Sequence, residues 1–187
     1  MSEQLAQEGG GNVEATGRKR FTLDPGECAV LVEARSNVGT VAFGTTAVTG
    51  CVDAVIVDGA VDVDQNPCGQ LQVPLETLRS GNALYDAELH TRLGVQRYPM
   101  VDVELREAQA LGGGRYRVSG NVSLHGVTRE LAGGVELTVS GDRLELVGEE
   151  VIDVRDFTIE VPSVLMLRIY PDVKVSLQLR ASLVAVP

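Results

Sequence analysis

The residue that first suggests chemistry is His125, in the segment GNVSLHGVTR (residues 120–129). It is one of 2 histidines in the chain. A histidine can act as an acid or base near neutral pH when a carboxylate, an orienting group or a metal lies within reach. No carboxylate stands beside it in the sequence. Gly126 suits a tight turn and Thr128 can bond to the local backbone, so we interpret His125 as a turn residue between two strands.

The second histidine, His90, lies in the segment DAELH, four residues after Asp86. On a helix this spacing allows an ordinary side-chain pair, and the alternative is a position at the mouth of a ligand cavity. The chain has no HExxH motif and no third histidine, which excludes a histidine-rich metal site. We predict no metal and no cofactor.

Acidic pairs could indicate a hydrolase, but their spacing argues against one. Glu149 and Glu150 are consecutive, so on a strand their side chains point to opposite faces. Asp153 and Asp156 flank Arg155 and are expected to form a solvated or ion-paired patch. The chain contains no GxSxG, phosphate-binding or CxxC motif, and we predict no catalytic residue.

The composition limits the partners. A net charge of -10 and an aromatic content of 4% disfavour nucleic acid, whose binding needs cations and stacking platforms. Three cysteines, Cys28, Cys51 and Cys68, lack zinc-site spacing and are typical of reduced thiols. The N-terminal residues are polar and the apolar runs are shorter than a membrane span. We therefore expect a cytoplasmic protein without a membrane span.

The elements that carry these residues are mostly strands, because apolar and polar residues alternate along much of the chain. The longest run places Val173, Val175, Leu177 and Leu179 on one face. Asp58-Gly59 predicts a hairpin, and further turns are predicted at Gly112–Gly114, Gly133-Gly134 and Gly141-Asp142. Residues 157–171 contain two prolines and are predicted to form a loop that feeds the last strand.

One segment has helical periodicity instead. Tyr85, Leu89 and Leu93 are four residues apart, which predicts a helix over about residues 82–93. Asn82 suits its N-cap and Gly94 its C-terminal cap.

Many strands with short turns and one inserted helix predict a mainly β, antiparallel fold, either a sandwich or a closed barrel. About eight strands are expected, and the long last strand favours the barrel because it must be paired along its length. We assign residues 1–17 to a disordered tail and residues 18–187 to the barrel domain. The residues predicted to line the barrel interior are Val30, Val32, Leu71, Val73, Leu89, Val101, Val103, Tyr116, Val118, Val122, Val175, Leu177 and Leu179.

Four segments, in this order, resemble the YceI-like family of lipocalin-like, polyisoprenoid-binding proteins. They are FTLDPGECAVLVEARSNVG (21–39), LRSGNALYDAELHTRLGVQRYPMVDVEL (78–105), YRVSGNVSLHGVTREL (116–131) and VIDVRDFTIEVPSVLMLRIYPDVKVSLQL (151–179). The alternation by itself does not distinguish a filled barrel from a hollow one. The resemblance implies a hollow, eight-stranded lipocalin-like barrel.

Three functions follow as hypotheses. The first is a non-catalytic carrier of a long-chain isoprenoid or similar lipid in the lumen, with the helix and the loop at 157–171 at the mouth. Its headgroup candidates, chosen by position, are Arg79, His90, Arg92 and Arg97. The second is an enzyme on the same barrel that acts on a lipid or a small carbonyl compound, and the third is an interaction module with a filled core. The oligomeric state is left open, a homodimer being one expectation.

Overall fold

The computed structural model describes residues 17–161, 163–164 and 167–184. Apart from Gly17, the predicted N-terminal tail lies outside the described residues. One α-helix, α1, spans Ala83–Arg92. The strands are β1 Lys19–Leu23, β2 Ala29–Ser36, β3 Gly39–Thr45, β4 Thr49–Ala54, β5 Ile56–Val57, β6 Ala60–Val61, β7 Cys68–Pro74, β8 Met100–Gly112, β9 Arg115–Leu124, β10 Val127–Ser140, β11 Arg143–Asp153, β12 Ser163–Val164 and β13 Leu167–Leu183.

The strands close into an 8-stranded antiparallel barrel with a single helix, which confirms the predicted fold. Strands β1 and β2 lie end to end along one edge of β13, with Phe21 opposite Leu183 and Val30 opposite Leu177. Strands β3 and β4 run end to end in the same way, beside β2 and β1. The pairing of β1 with β13 therefore closes the ring of strands and leaves few edges to protect.

One end of the barrel is filled. The β5–β6 hairpin turns at Asp58-Gly59 as predicted, and both turn residues have positive φ (51° and 75°), as a type I′ turn requires. Tyr116 packs with Ala54 and Val61 at this end. Its hydroxyl accepts a hydrogen bond from the Val61 backbone N–H at 3.2 Å.

The helix lies at the other end and has the predicted caps. The Asn82 side chain accepts hydrogen bonds from the backbone N–H groups of Leu84 and Tyr85, at 3.0 and 3.4 Å. The chain leaves the helix through Gly94, whose φ of 58° is readily adopted by glycine. Among the described residues, no helix is long and apolar enough to cross a membrane.

Two predicted boundaries were wrong. Gly133-Gly134 is not a turn: both residues lie inside β10 and pair with Val118 and Arg117 of β9. A Cβ at Gly133 would lie 2.9 Å from a carboxylate oxygen of Glu150, so glycine here marks a close approach rather than a chain reversal.

The second error concerns the last strand, which begins at Leu167 and so includes part of the predicted loop. The pairing of β13 with β2 shifts register between Ile169 and Val173. This irregularity accommodates Pro171, since a proline within a sheet is tolerated at a bulge.

Candidate functional site

The barrel encloses a cavity of ≈ 830 Å³ that runs from the filled end to the helix. This volume lies in the upper part of the range of small-molecule sites. Most side chains on its wall are valine, leucine and isoleucine, so the cavity suits an apolar ligand.

The wall side chains show that the interior is hollow. Val103, Val175 and Leu177 face inward but are only half-buried, because they border the cavity. At the filled end, Phe21 and Leu144 are 0% and 1% exposed. The same inward alternation therefore makes packed core at one end and cavity wall along the rest.

Every residue predicted to line the interior lies on the cavity wall except Tyr116. Tyr116 also points inward, but it stands at the start of β9, where the filled end leaves no space beside it. The sequence pattern missed several wall residues, because they lie where alternation is short or interrupted: Val41, Phe43, Leu75, Leu78 and Ile159.

The mouth of the cavity is formed by α1, by the chain after β11 and by two exposed apolar residues. Val38 is 76% exposed and Tyr85 is 46% exposed, and both border the cavity. Arg92 also borders it and forms an ion pair with Glu88 at 2.7 Å, one helical turn away. The predicted mouth segments thus lie at the cavity opening as far as the structure describes them.

Of the four predicted headgroup residues, only Arg92 lies on the cavity wall. The Arg79 backbone pairs with Gly44, and its Nη1 lies 3.0 Å from His90 Nε2. His90 Nε2 also lies 3.1 Å from the Leu78 carbonyl oxygen. These contacts hold Arg79 and His90 against the segment that follows β7, and neither residue borders the cavity.

Arg97, the fourth, lies beyond the end of α1. Its guanidinium carbon stands 5.3 Å from the centre of the Tyr98 ring, a cation–π contact away from the cavity wall.

The carboxylate of Asp86, expected to face His90, has other partners. Its Oδ1 accepts hydrogen bonds from the Ser80 backbone N–H and from the Ser80 hydroxyl, both at 2.7 Å. These two bonds favour the charged form and lower the pKa of Asp86 from its ordinary value. Asp86 therefore ties the start of the helix to the segment before it.

His125 lies in the two-residue turn between β9 and β10, as predicted, with φ of 54°. Its Nδ1 lies 3.2 Å from the Phe157 carbonyl oxygen, and its ring makes an edge contact with Tyr98 at 5.1 Å between centroids. The Thr128 hydroxyl lies 2.7 Å from that of Ser123, the residue opposite it on β9, so its partner here is a side chain rather than the predicted backbone group. His125 thus joins three segments at the mouth end of the barrel.

Comparison with known proteins identifies a matching family and several similar structures. The model of the YceI-like domain matches residues 21–181. BcnA from Burkholderia cenocepacia has a similar structure, with a TM-score of 0.74 and 16% identity over 86% of this chain and 99% of that one. A search of curated protein sequences found no significant match.

Two further solved structures share the fold. A polyisoprenoid binding domain from Saccharophagus degradans, implicated in plant cell wall breakdown, has a TM-score of 0.67 and 14% identity over 88% of this chain and 98% of that one. A mutant YceI protein from Campylobacter jejuni has a TM-score of 0.59 and 11% identity over 72% and 80% of the two chains. At these identities the likeness concerns the fold alone.

Proposed function

Since this chain belongs to the YceI-like family, we propose that it is a non-catalytic binding protein that holds a long-chain isoprenoid or similar lipid inside the barrel. The observation that carries the proposal is the apolar cavity of ≈ 830 Å³, which opens beside α1. The polyisoprenoid binding domain from Saccharophagus degradans has the same fold, which is consistent with this proposal.

The energetics of burial support a lipid. Each methylene group moved from water into an apolar wall contributes about 0.8 kcal/mol. A dozen such groups contribute roughly 10 kcal/mol, which is comparable with the cost of immobilising a ligand. A chain of about a dozen carbons or more can therefore bind through the wall alone, whereas a chain of a few carbons cannot.

The wall and the mouth have different roles in this proposal. The half-buried aliphatic side chains of β2, β7, β8, β9 and β13 contact the chain of the ligand. Leu89 and Arg92 of α1 stand where the ligand enters. Arg92 is the one headgroup candidate that we retain.

The other two hypotheses have less support. An enzyme that used His90 or His125 would need its ring beside the bound molecule, and neither residue borders the cavity. An interaction module with a filled core is disfavoured by the cavity itself.

The test is native mass spectrometry of the purified protein, before and after incubation with geranylgeraniol, a C20 isoprenoid alcohol. We expect an added mass equal to one lipid molecule. Val175→Phe places an aromatic ring in the cavity and should reduce the bound fraction. Val147→Phe is the matched control, because Val147 is 52% exposed and lies outside the cavity wall.

If neither the protein as purified nor the incubated protein carries a lipid, the proposal is wrong. Equal loss of binding in both phenylalanine variants would also contradict it, because the effect would not come from the cavity.

A further inference from the structure

The barrel wall has an opening in its side as well as at its mouth. Strands β10 and β11 pair from Ser140 opposite Arg143 to Val135 opposite Gly148, and the described pairing ends there. Both strands continue toward the mouth, β10 against β9 alone and β11 against β13 alone. We call the gap between residues 131–134 of β10 and residues 149–152 of β11 the side opening.

Glu150 occupies the side opening. The inward-facing positions of β11 alternate through Leu144, Leu146, Gly148 and Ile152, and Glu150 falls in the same series. Unlike the aliphatic wall residues it is exposed, and it borders the cavity. One of its carboxylate oxygens would lie 2.9 Å from a Cβ at Gly133, so the side chain reaches across the gap to β10.

The neighbouring carboxylate has a different environment. Glu149 points to the outer face, as the sequence predicted for consecutive acids. Its Oε2 lies 3.6 Å from the Lys174 ammonium and 3.3 Å from the Ser176 hydroxyl. Glu150 Oε1 instead accepts a hydrogen bond from its neighbour, the Val151 backbone N–H, at 3.2 Å.

The charges along the cavity are almost all negative. Among the described residues, Arg92 is the one cation on the wall, and it is paired with Glu88. All 16 lysine and arginine residues fall within the described ranges, so the rest of the chain contributes no lysine or arginine side chain. Glu104 and Glu149 also border the wall, but both stand at outward-facing strand positions where each pairs with a cation, which leaves the carboxylates of Glu150 and Glu160.

This distribution has a consequence for the polar end of a bound lipid. A phosphate or carboxylate in the cavity would lose hydration and meet negative charge, both of which are unfavourable. A hydroxyl or ammonium group could donate a hydrogen bond to a carboxylate, and bonds of this kind are stronger than those between neutral groups.

We propose that Glu150, in the side opening, accepts a hydrogen bond from the polar end of the lipid, so that the barrel selects long-chain amphiphiles with a donating hydroxyl or ammonium end and rejects anionic ones. This inference rests on the proposed function, since it requires that the cavity holds a lipid chain.

The test compares three probes with the same chain: dodecylamine, dodecanol and dodecanoate. Each is titrated below its micelle concentration or solubility limit against protein loaded with the neutral dye N-phenyl-1-naphthylamine, and displacement is followed by fluorescence. We expect the amine and the alcohol to bind more tightly than the carboxylate, with about a tenfold difference between amine and carboxylate, as is typical of a hydrogen bond to a charged group.

Three variants test whether Glu150 causes this difference in affinity. Glu150→Gln should reduce the ratio of the dodecylamine affinity to the dodecanoate affinity by about five- to tenfold. Glu149→Gln removes the same charge from the outer face and should leave the ratio unchanged. Gly133→Ala keeps the charge but displaces the carboxylate, because a Cβ there would stand only 2.9 Å from its Oε2, and it should also reduce this ratio.

The outcomes separate the two proposals. If all three probes bind equally to the wild-type protein, or if Glu149→Gln changes the ratio as much as Glu150→Gln, the cavity still binds lipid and the role of Glu150 is refuted. If the dye and the three probes all fail to bind, the proposed function fails and this inference fails with it.

Discussion

Two leucines on adjacent strands offer a direct test of the hollow interior. Leu144 on β11 and Leu177 on β13 both face into the barrel. Leu144 lies in the packed end and is 1% exposed, whereas Leu177 is half-buried on the cavity wall. The same substitution, leucine to alanine, can be made at both positions.

The expected costs differ because only one of these sites is packed on all sides. Leu144→Ala removes methylene groups and leaves a new void, a change that costs about 3–5 kcal/mol of unfolding free energy in a packed core. Leu177→Ala enlarges a void that already exists, so the cavity contribution is small. The remaining loss of apolar contact is about 1–2 kcal/mol. We therefore expect a difference of about 2 kcal/mol between the two variants.

The assay is urea unfolding of delipidated protein followed by circular dichroism, with equal m-values required for the comparison. Saturation with geranylgeraniol adds a second expectation. The lipid should increase the cost of Leu177→Ala, which then loses contacts with the ligand, and should leave the cost of Leu144→Ala unchanged. Equal costs at both positions in the delipidated protein would refute the hollow barrel.

Three further predictions follow from the same structure. Geranylgeraniol at a hundred times its Kd should raise the unfolding free energy by about 2.7 kcal/mol, and a calorimetric scan showing no shift in Tm would contradict binding to the native state. Gly126→Ala should destabilise the protein more than Gly113→Ala: both positions have positive φ (75° and 63°), but only at Gly126 would the Cβ collide with Tyr98, at 2.6 Å. Urea midpoints test this, and equal shifts would mean that only the backbone conformation matters. Asp86→Asn should lower stability at pH 7, because the hydrogen bonds to the carboxylate depress its pKa in the folded protein. The stability that the carboxylate contributes is fully present above about pH 4, the pKa of an aspartate in the unfolded chain. It is lost as the pH falls through the lower pKa of the folded protein. A difference between wild type and variant that persisted unchanged to pH 2 would contradict that role.

The sequence by itself determined the local structure. Side chains alternate between the faces of a strand with a period of two, so the inward-facing sets on β8, β9 and β13 could be identified without a structure. Asn82 and Gly94 marked the ends of the helix, and Asp58-Gly59 and the His125 turn marked chain reversals, because these residues have strong conformational preferences of their own.

Only the tertiary structure decided what that pattern encloses. Tyr116 and Val118 belong to the same alternating set, yet one fills the closed end and the other borders the cavity. Gly133-Gly134 resembled a turn, and Arg79 resembled a headgroup ligand, but the glycines lie inside β10 and Arg79 does not border the cavity. Cavity volume, the side opening and the placement of charges depend on where each ladder begins and ends. Those limits are set by contacts between residues far apart in the chain, which a local pattern does not encode.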